Sequence, residues 1–250
     1  MDQLDEKEYV RHRLYSGDGV RKWQRYAAFV IGDQSVLKLI DYELRILFFS
    51  WVPGALGLFI RKISYRKLFK NVGCNLIVGR NVTIRHGDKI SLGDNIVLDD
   101  GCVIDGRGSG QEGVVIGDNT IIGRSAIVQS KVGAIRIGAN VNVGTYSVIT
   151  SQGGVDIGDW VQIAGGCKLS GGRFKLDLTM KEGVPFKRFS LGAISIGDCC
   201  FVGGSAQITD GVSIGRHSVI GAGSVDMSNI PEGSVYMPRP GMIMGSTLNE

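Results

Sequence analysis

The chain has 250 residues, 43% of them apolar, enough to bury a sizeable core in one domain with an appendage. Thirty-eight glycines beside five prolines, with no Gly-X-Y run, exclude collagen and low-complexity disorder and demand many tight corners. The formal net charge is only +4, and five cysteines without a C-x-x-C pair exclude a disulfide framework and a zinc site, as expected in a reducing compartment.

The chain starts MDQLDEKEYV, acidic and polar where a secretory signal is basic and then apolar, so a cytoplasmic protein is expected. Residues 1–70 read as helical. Within them Ile46 to Ile60, ILFFSWVPGALGLFI, is nearly all apolar but too short to span a bilayer, and Pro53 and Gly54 break it. Arg61, Lys62, Arg66, Lys67 and Lys70 follow with no acidic residue among them. Residues 1–70 hold 13 Lys+Arg against 8 Asp+Glu, so the basic character of the chain is local to them. Two uses fit residues 46–70: peripheral contact with the inner face of the cytoplasmic membrane, rings at the acyl boundary and cations on headgroups, or a helical cap over the open end of a stacked structure. Nucleic acid is not expected, because no base-reading motif or aromatic–basic interleaving continues beyond this segment.

From residue 71 to about 245 the pattern changes. Aliphatics recur six apart in groups of three: Leu92, Leu98, Ile104; Ile116, Ile122, Val128; Ile137, Val143, Ile149; Ile157, Ile163, Leu169; Ile196, Val202, Ile208; Ile214, Ile220. A short strand plus a turn, taken three times, closes a triangular coil, and about seven coils stack roughly 4.8 Å apart into a prism. The aliphatics point to the axis, and the glycine after many of them relieves crowding at the bend. Four residues after each aliphatic stands a second inward position held by small residues, among them Cys102, Cys167 and Cys200, which read as corner fillers rather than reactive thiols.

Spacing locates the excursions. Ile196 to Ile214 is 18 residues, one full coil, whereas Leu92 to Ile116 is 24 and Ile157 to Ile196 is 39. The larger surplus falls in a loop at 170–195, LSGGRFKLDLT at its start, and so long a departure from a counted repeat marks a functional loop. Arg173, Lys175, Lys181, Lys187 and Arg188 outnumber Asp177 and Glu182 there, a balance that suits an anionic ligand. Residues 246–250 form a short tail.

The phrases IGDNTIIGRSAIV, IGANVNVGTYSVI and VSIGRHSVIGAGSV resemble the bacterial hexapeptide-repeat acyltransferases. The resemblance implies an all-β fold, a left-handed parallel β-helix carrying an N-terminal helical appendage, assembled as a homotrimer with sites between subunits. It further implies acetyl transfer from acetyl-CoA, without a metal, to a hydroxyl of a saccharide acceptor in surface-polysaccharide biosynthesis. In the sugar O-acetyltransferases of this kind the loop usually reads Gly-Gly-x-His-x-x-Asp, its histidine acting as general base. Here Gly171, Gly172 and Asp177 match while Phe174 stands at the histidine position, and no histidine occurs between His86 and His217. Candidate bases are therefore Asp177, His217 and His86; Ser170, Arg173 and Phe174 are candidates to contact the acceptor. Gly221, Ala222, Gly223 and Ser224 with Arg239 are candidates for the coenzyme A groove, although the lysines usual after GAGSV and in the tail are replaced by Met227–Ser228 and Gly241–Met242. Asp177 acts as a base only if burial raises its pKa. His217 is expected on an outward site, and His86 as an exposed turn residue. The lost imidazole leaves a second reading open: a catalytically degenerate relative serving as a trimeric scaffold or partner subunit.

Overall fold

The computed structural model describes residues 21–108, 110, 113–176, 186–225 and 228–238, with the backbone path alone for 173–176 and 186–188. Three helices come first: α1 (Lys22–Val30), α2 (Val36–Phe49) and α3 (Gly54–Ser64), the last running into a 3-10 turn at Tyr65–Leu68. The Ser35 hydroxyl accepts from the Lys38 amide at the start of α2. Pro53 and Gly54, the latter at φ +69°, separate α2 from α3 where the sequence placed a break. Among the described residues no helix is long and apolar enough to cross a membrane.

From Asn71 the chain winds into a three-sided parallel β-solenoid, the β-helix expected from the repeat. Its first face has seven strands, from Asn71–Val72 to Ser213–Ile214. The second has eight, from Ile77–Val78 to Val235–Tyr236, and the third six, from Thr83–Arg85 to Gln207–Thr209. Parallel pairing stacks the inward aliphatics directly. On the second face Val78, Leu98, Ile122, Val143, Ile163, Val202 and Ile220 form one register column, every member fully buried or nearly so. On the third face the column is Ile84, Ile104, Val128, Ile149, Leu169, Ile208. Each such side chain contributes on the order of 1.5–3 kcal/mol of burial, and the columns are the core.

The small inward positions fill the corners. Cys102, Cys167 and Cys200 are buried there, as the spacing predicts. Hydroxyls at equivalent sites find carbonyls of the next coil: Thr120 donates to Gly138 O at 3.1 Å and Ser147 to Ala164 O at 3.1 Å. Left-handed backbone recurs coil after coil at the first two corners. Asn75, Asn95, Asn119, Asn140, Trp160, Cys199 and His217 carry it between the first and second faces. The glycines after the aliphatics do a different job: a Cβ on Gly117 would stand 2.7 Å from the Gly138 carbonyl carbon, so it is the next coil's close approach that requires glycine there.

Of the two uses weighed for residues 46–70, the cap is visible. Tyr65 and Phe69 are buried in the core, and Ile46, Phe49 and Leu68 pack on it. Each face's first strand presents unpaired carbonyls, and each is met by a side chain from the helical region. Arg66 donates to Val72 O and Gly73 O on the first face, Arg61 to Val78 O on the second, and Tyr42 to Ile84 O on the third. The raw edge of a parallel stack is thereby closed.

Candidate functional site

All the excursions leave at the third corner, between the third and first faces, where strands ending at residues 85, 105, 130, 151, 170 and 209 give way to strands starting at 90, 114, 135, 155, 194 and 213. The long loop is not wholly irregular. Arg173–Leu176 and Phe186–Phe189 pair as antiparallel strands, with Phe174 opposite Arg188 in register. Two glycines make the exit possible: a Cβ at Gly171 would lie 2.8 Å from the Gln152 amide nitrogen, and Gly172 sits at φ +127°. On the return, the Leu191 amide donates to the buried Asp210 carboxylate at 2.6 Å, and the Ser190 hydroxyl to Gly192 O at 3.1 Å.

Beside this exit the third face presents an outward polar column, Arg85, Asp105, Gln129, Thr150, Ser170 and Thr209, in unbroken register. Ser170 is exposed at the foot of the hairpin. Under the exit lies Gln152, only 6% exposed, whose side-chain oxygen has no hydrogen-bond partner among the described residues. An unpartnered buried carbonyl is costly and is the kind of group that awaits a ligand or water. Sequence reading passed over Gln152, since nothing in TSQGG separates it from an ordinary turn.

The opposite end of the column is sealed by α1. His86 Nδ1 stands 3.3 Å from Asp105 Oδ1, and His86 Nε2 lies 3.2 Å from Ala28 O. Arg107 donates to Asp105 Oδ2 at 2.6 Å and Gln129 to the same oxygen at 3.2 Å. The Arg85 and Arg107 guanidinium carbons both lie over the Phe29 ring, 4.7 and 4.8 Å from its centroid. Burial pushes the Asp105 carboxyl pKa up, but the bonds from His86, Arg107 and Gln129 and the charge of Arg107 outweigh it and hold it at about 2. The exposed turn expected at His86 is corrected: the residue does turn the chain, at φ +51°, but it is 5% exposed because α1 folds over it. Asp105, Arg107 and Phe29 were missed, although counting the register from Arg85 would have put Asp105 and Gln129 in its column.

His217 is exposed, at φ +56°, on the corner between the first and second faces, as the outward position predicts. The Gly221–Ser224 stretch turns the corner between the second and third faces. Ala222 and Gly223 are exposed there, while the Ser224 hydroxyl points inward to donate to Gly221 O at 2.7 Å. The hairpin, His217 and the glycine turn therefore occupy three different corners of one chain. Arg173 and Phe174 lie on the hairpin's first arm; Asp177 and Arg239 lie outside the described residues.

Comparison with known proteins agrees with this architecture. A family model described as "Hexapeptide repeat of succinyl-transferase" matches residues 134–170 and 193–225, two segments that flank the excursion. Over these two segments the chain is similar to that family. Over 143 residues it is 29% identical to Bifunctional protein GlmU of Carboxydothermus hydrogenoformans, covering 50% of this chain and 31% of that protein. Over 47 residues it is 47% identical to Putative acetyltransferase YJL218W of Saccharomyces cerevisiae, covering 19% of this chain and 24% of that protein. It thus spans less than a third of the length of these curated relatives. Among solved structures, a point mutant of AntD, an N-acyltransferase from Bacillus cereus in complex with dTDP and coenzyme A, superposes with a TM-score of 0.51. That match is 17% identical and covers 70% of this chain and 84% of AntD, a likeness of fold.

Proposed function

We propose that the protein is an acyltransferase that moves an acetyl group from acetyl-CoA to a hydroxyl of a saccharide in surface-polysaccharide biosynthesis. The observation that carries this reading is the hairpin leaving on Gly171–Gly172 beside exposed Ser170 and over the unpartnered Gln152 oxygen, in a prism otherwise wound without a break of that length. Two of the similar proteins, a putative acetyltransferase and an N-acyltransferase, support it.

In the reaction, a base withdraws the proton of the acceptor hydroxyl as its oxygen attacks the thioester carbonyl carbon. The carbon–sulfur bond then breaks, and coenzyme A leaves as a thiolate that takes up a proton. Ser170, Arg173 and Phe174 hold the acceptor in this reading, and the Gly221–Gly223 turn with Arg239 lets the donor's backbone-hugging pantetheine approach. Asp177 and His217 are the candidate bases. Because the hairpin, His217 and the glycine turn stand on different corners, the complete site forms between copies of the chain, and a homotrimer is the assembly we infer. Residues 46–70 bring this assembly to the inner face of the cytoplasmic membrane.

The test is calorimetric titration with acetyl-CoA together with the solution mass of the particle. Absence of binding at millimolar acetyl-CoA, or a monomer, overturns the enzyme. Phe174 in place of the imidazole, with His86 sealed under α1, favours a second reading in that event: a catalytically degenerate hexapeptide-repeat scaffold or partner subunit.

A further inference from the structure

We infer that the outward face of α2 and α3 is a docking surface for a lipid bilayer bearing anionic headgroups. This deepens the membrane contact included in the proposed function by assigning its residues and its lipid chemistry, and it is independent of whether acetyl is transferred.

The helix α2 is apolar on two opposite sides. Leu39, Tyr42, Ile46 and Phe49 point to the prism and are buried or half-buried. Leu37, Ile40, Leu44, Leu47 and Trp51, spaced by three and four residues, form a second stripe that points away from it. Leu47 is 64% exposed and Trp51 63%, although a helix that merely caps a stack would carry polar residues there. Leu56, Phe59 and Ile63 continue the apolar surface on α3, and all three are exposed. The Trp51 indole nitrogen donates to Leu47 O at 3.0 Å, so its ring can enter an acyl boundary without stranding a donor.

Charge selects the occupant. From residue 36 to 70 there are seven Lys+Arg against two Asp+Glu. The two acids are already engaged: Asp41 accepts two bonds from Arg45, and Glu43 accepts the Tyr26 hydroxyl. Arg61 and Arg66 are consumed in capping the strand carbonyls. Lys62, Lys67 and Lys70 are left exposed, with no salt bridge among the described residues. A second copy on this face would set the same positive rim against itself. Anionic headgroups instead match it, while the stripe sinks into the acyl boundary. With 14 and 11 residues, α2 and α3 lie along such a surface rather than through it.

The experiment is flotation of the full-length chain with phosphatidylcholine vesicles, with and without phosphatidylglycerol, at low and high salt. Alongside it run the double variant Leu47→Glu/Trp51→Glu, the triple variant Lys62→Glu/Lys67→Glu/Lys70→Glu, their solution masses and their acetyl-CoA titrations. The wild type is expected to float with the phosphatidylglycerol vesicles and to be released by salt. Each variant is expected to lose at least tenfold in vesicle affinity with its solution mass and thermal midpoint unchanged. No flotation of the wild type, or full flotation of both variants, overturns the inference. A variant that dissociates the particle also overturns it, by making this face a contact between copies. Failure to bind acetyl-CoA, with flotation intact, sinks the acyltransferase reading and leaves the lipid surface standing.

Discussion

His86 Nδ1 faces Asp105 Oδ1 at 3.3 Å while its other ring nitrogen meets the carbonyl of Ala28, so one imidazole ties the first coil, the second coil and α1 together. The Asp105 carboxylate at the centre also takes Arg107 and Gln129 and is 1% exposed. Its pKa of about 2 lies below the ordinary value of about 3.9 that the unfolded chain restores. The unfolded state therefore binds the proton first as pH falls. The group's stabilisation is complete above about pH 4 and is lost as pH drops from there toward 2, amounting to about 2 kcal/mol. Urea unfolding followed from pH 7 to pH 2 is expected to show this loss in the wild type. Asp105→Asn is expected to be less stable at pH 7 and to lose correspondingly less over the same window, the remainder coming from Asp33, Asp41 and Asp100, whose bonds to Lys38, Arg45 and Arg80 also hold them low; an equal acid loss in the variant assigns it elsewhere.

Arg61 is the largest buried polar or charged side chain among the described residues, 1% exposed, and its hydrogen-bond partners are carbonyls: Val78 O at 2.9 Å, Phe49 O at 3.0 Å and Val52 O at 2.7 Å. Removing the guanidinium strands all three. Arg61→Ala is expected to lower the unfolding free energy by about 3 kcal/mol or more. Arg61→Lys is expected to recover only part of that, since a single ammonium cannot reproduce the fork. A thermal midpoint unchanged in Arg61→Ala would show that the end of the prism needs no such cap.

The five thiols divide by position. Burial pushes the Cys102 thiol up to about 12 and raises Cys167 and Cys200 in the same direction, whereas Cys74 and Cys199 are exposed. Brief alkylation of the native protein at pH 7.5 is expected to mark Cys74 and Cys199 and to spare the three corner cysteines until denaturant is added. Peptide mass spectrometry reads the outcome directly. Labelling of Cys102 in the folded state would place it outside the core column.

The columns of the prism were legible because the period is short and covalently counted: Ile122, Val143, Ile163 and Val202 can occupy one face only if every third hexad stacks. The excursion was legible for the same reason, as a surplus in the count. What stayed hidden depends on contacts across the chain. No local pattern in KWQRYAAFV says that Phe29 packs under Arg85 and Arg107, and hence nothing in TIRHGDKI says that His86 is covered. The capping roles of Tyr42, Arg61 and Arg66 were invisible likewise, because a charged residue after an apolar run reads equally as headgroup contact or as a partner for a carbonyl. Within the excursion, the pairing of Phe174 with Arg188 belongs to the hairpin itself and leaves no trace in the repeat.

His217 offers the cleanest separation of chemistry from fold. Its left-handed backbone, φ +56°, is shared at the same corner by Asn95, Asn119 and Asn140, so asparagine is already proven in that conformation. Along this corner asparagines even stack, Asn95 donating to Asn119 Oδ1 at 2.8 Å. His217→Asn is therefore expected to hold the unfolding free energy within about 0.5 kcal/mol of the wild type while deleting the imidazole. If His217 is the base of the proposed transfer, turnover falls about 10²- to 10⁴-fold with acetyl-CoA affinity unchanged. If turnover survives His217→Asn and collapses in Asp177→Asn, the proton acceptor lies on the excursion and His217 is a corner residue. A drop in both donor affinity and midpoint would instead mark His217 as part of the prism's packing against another copy.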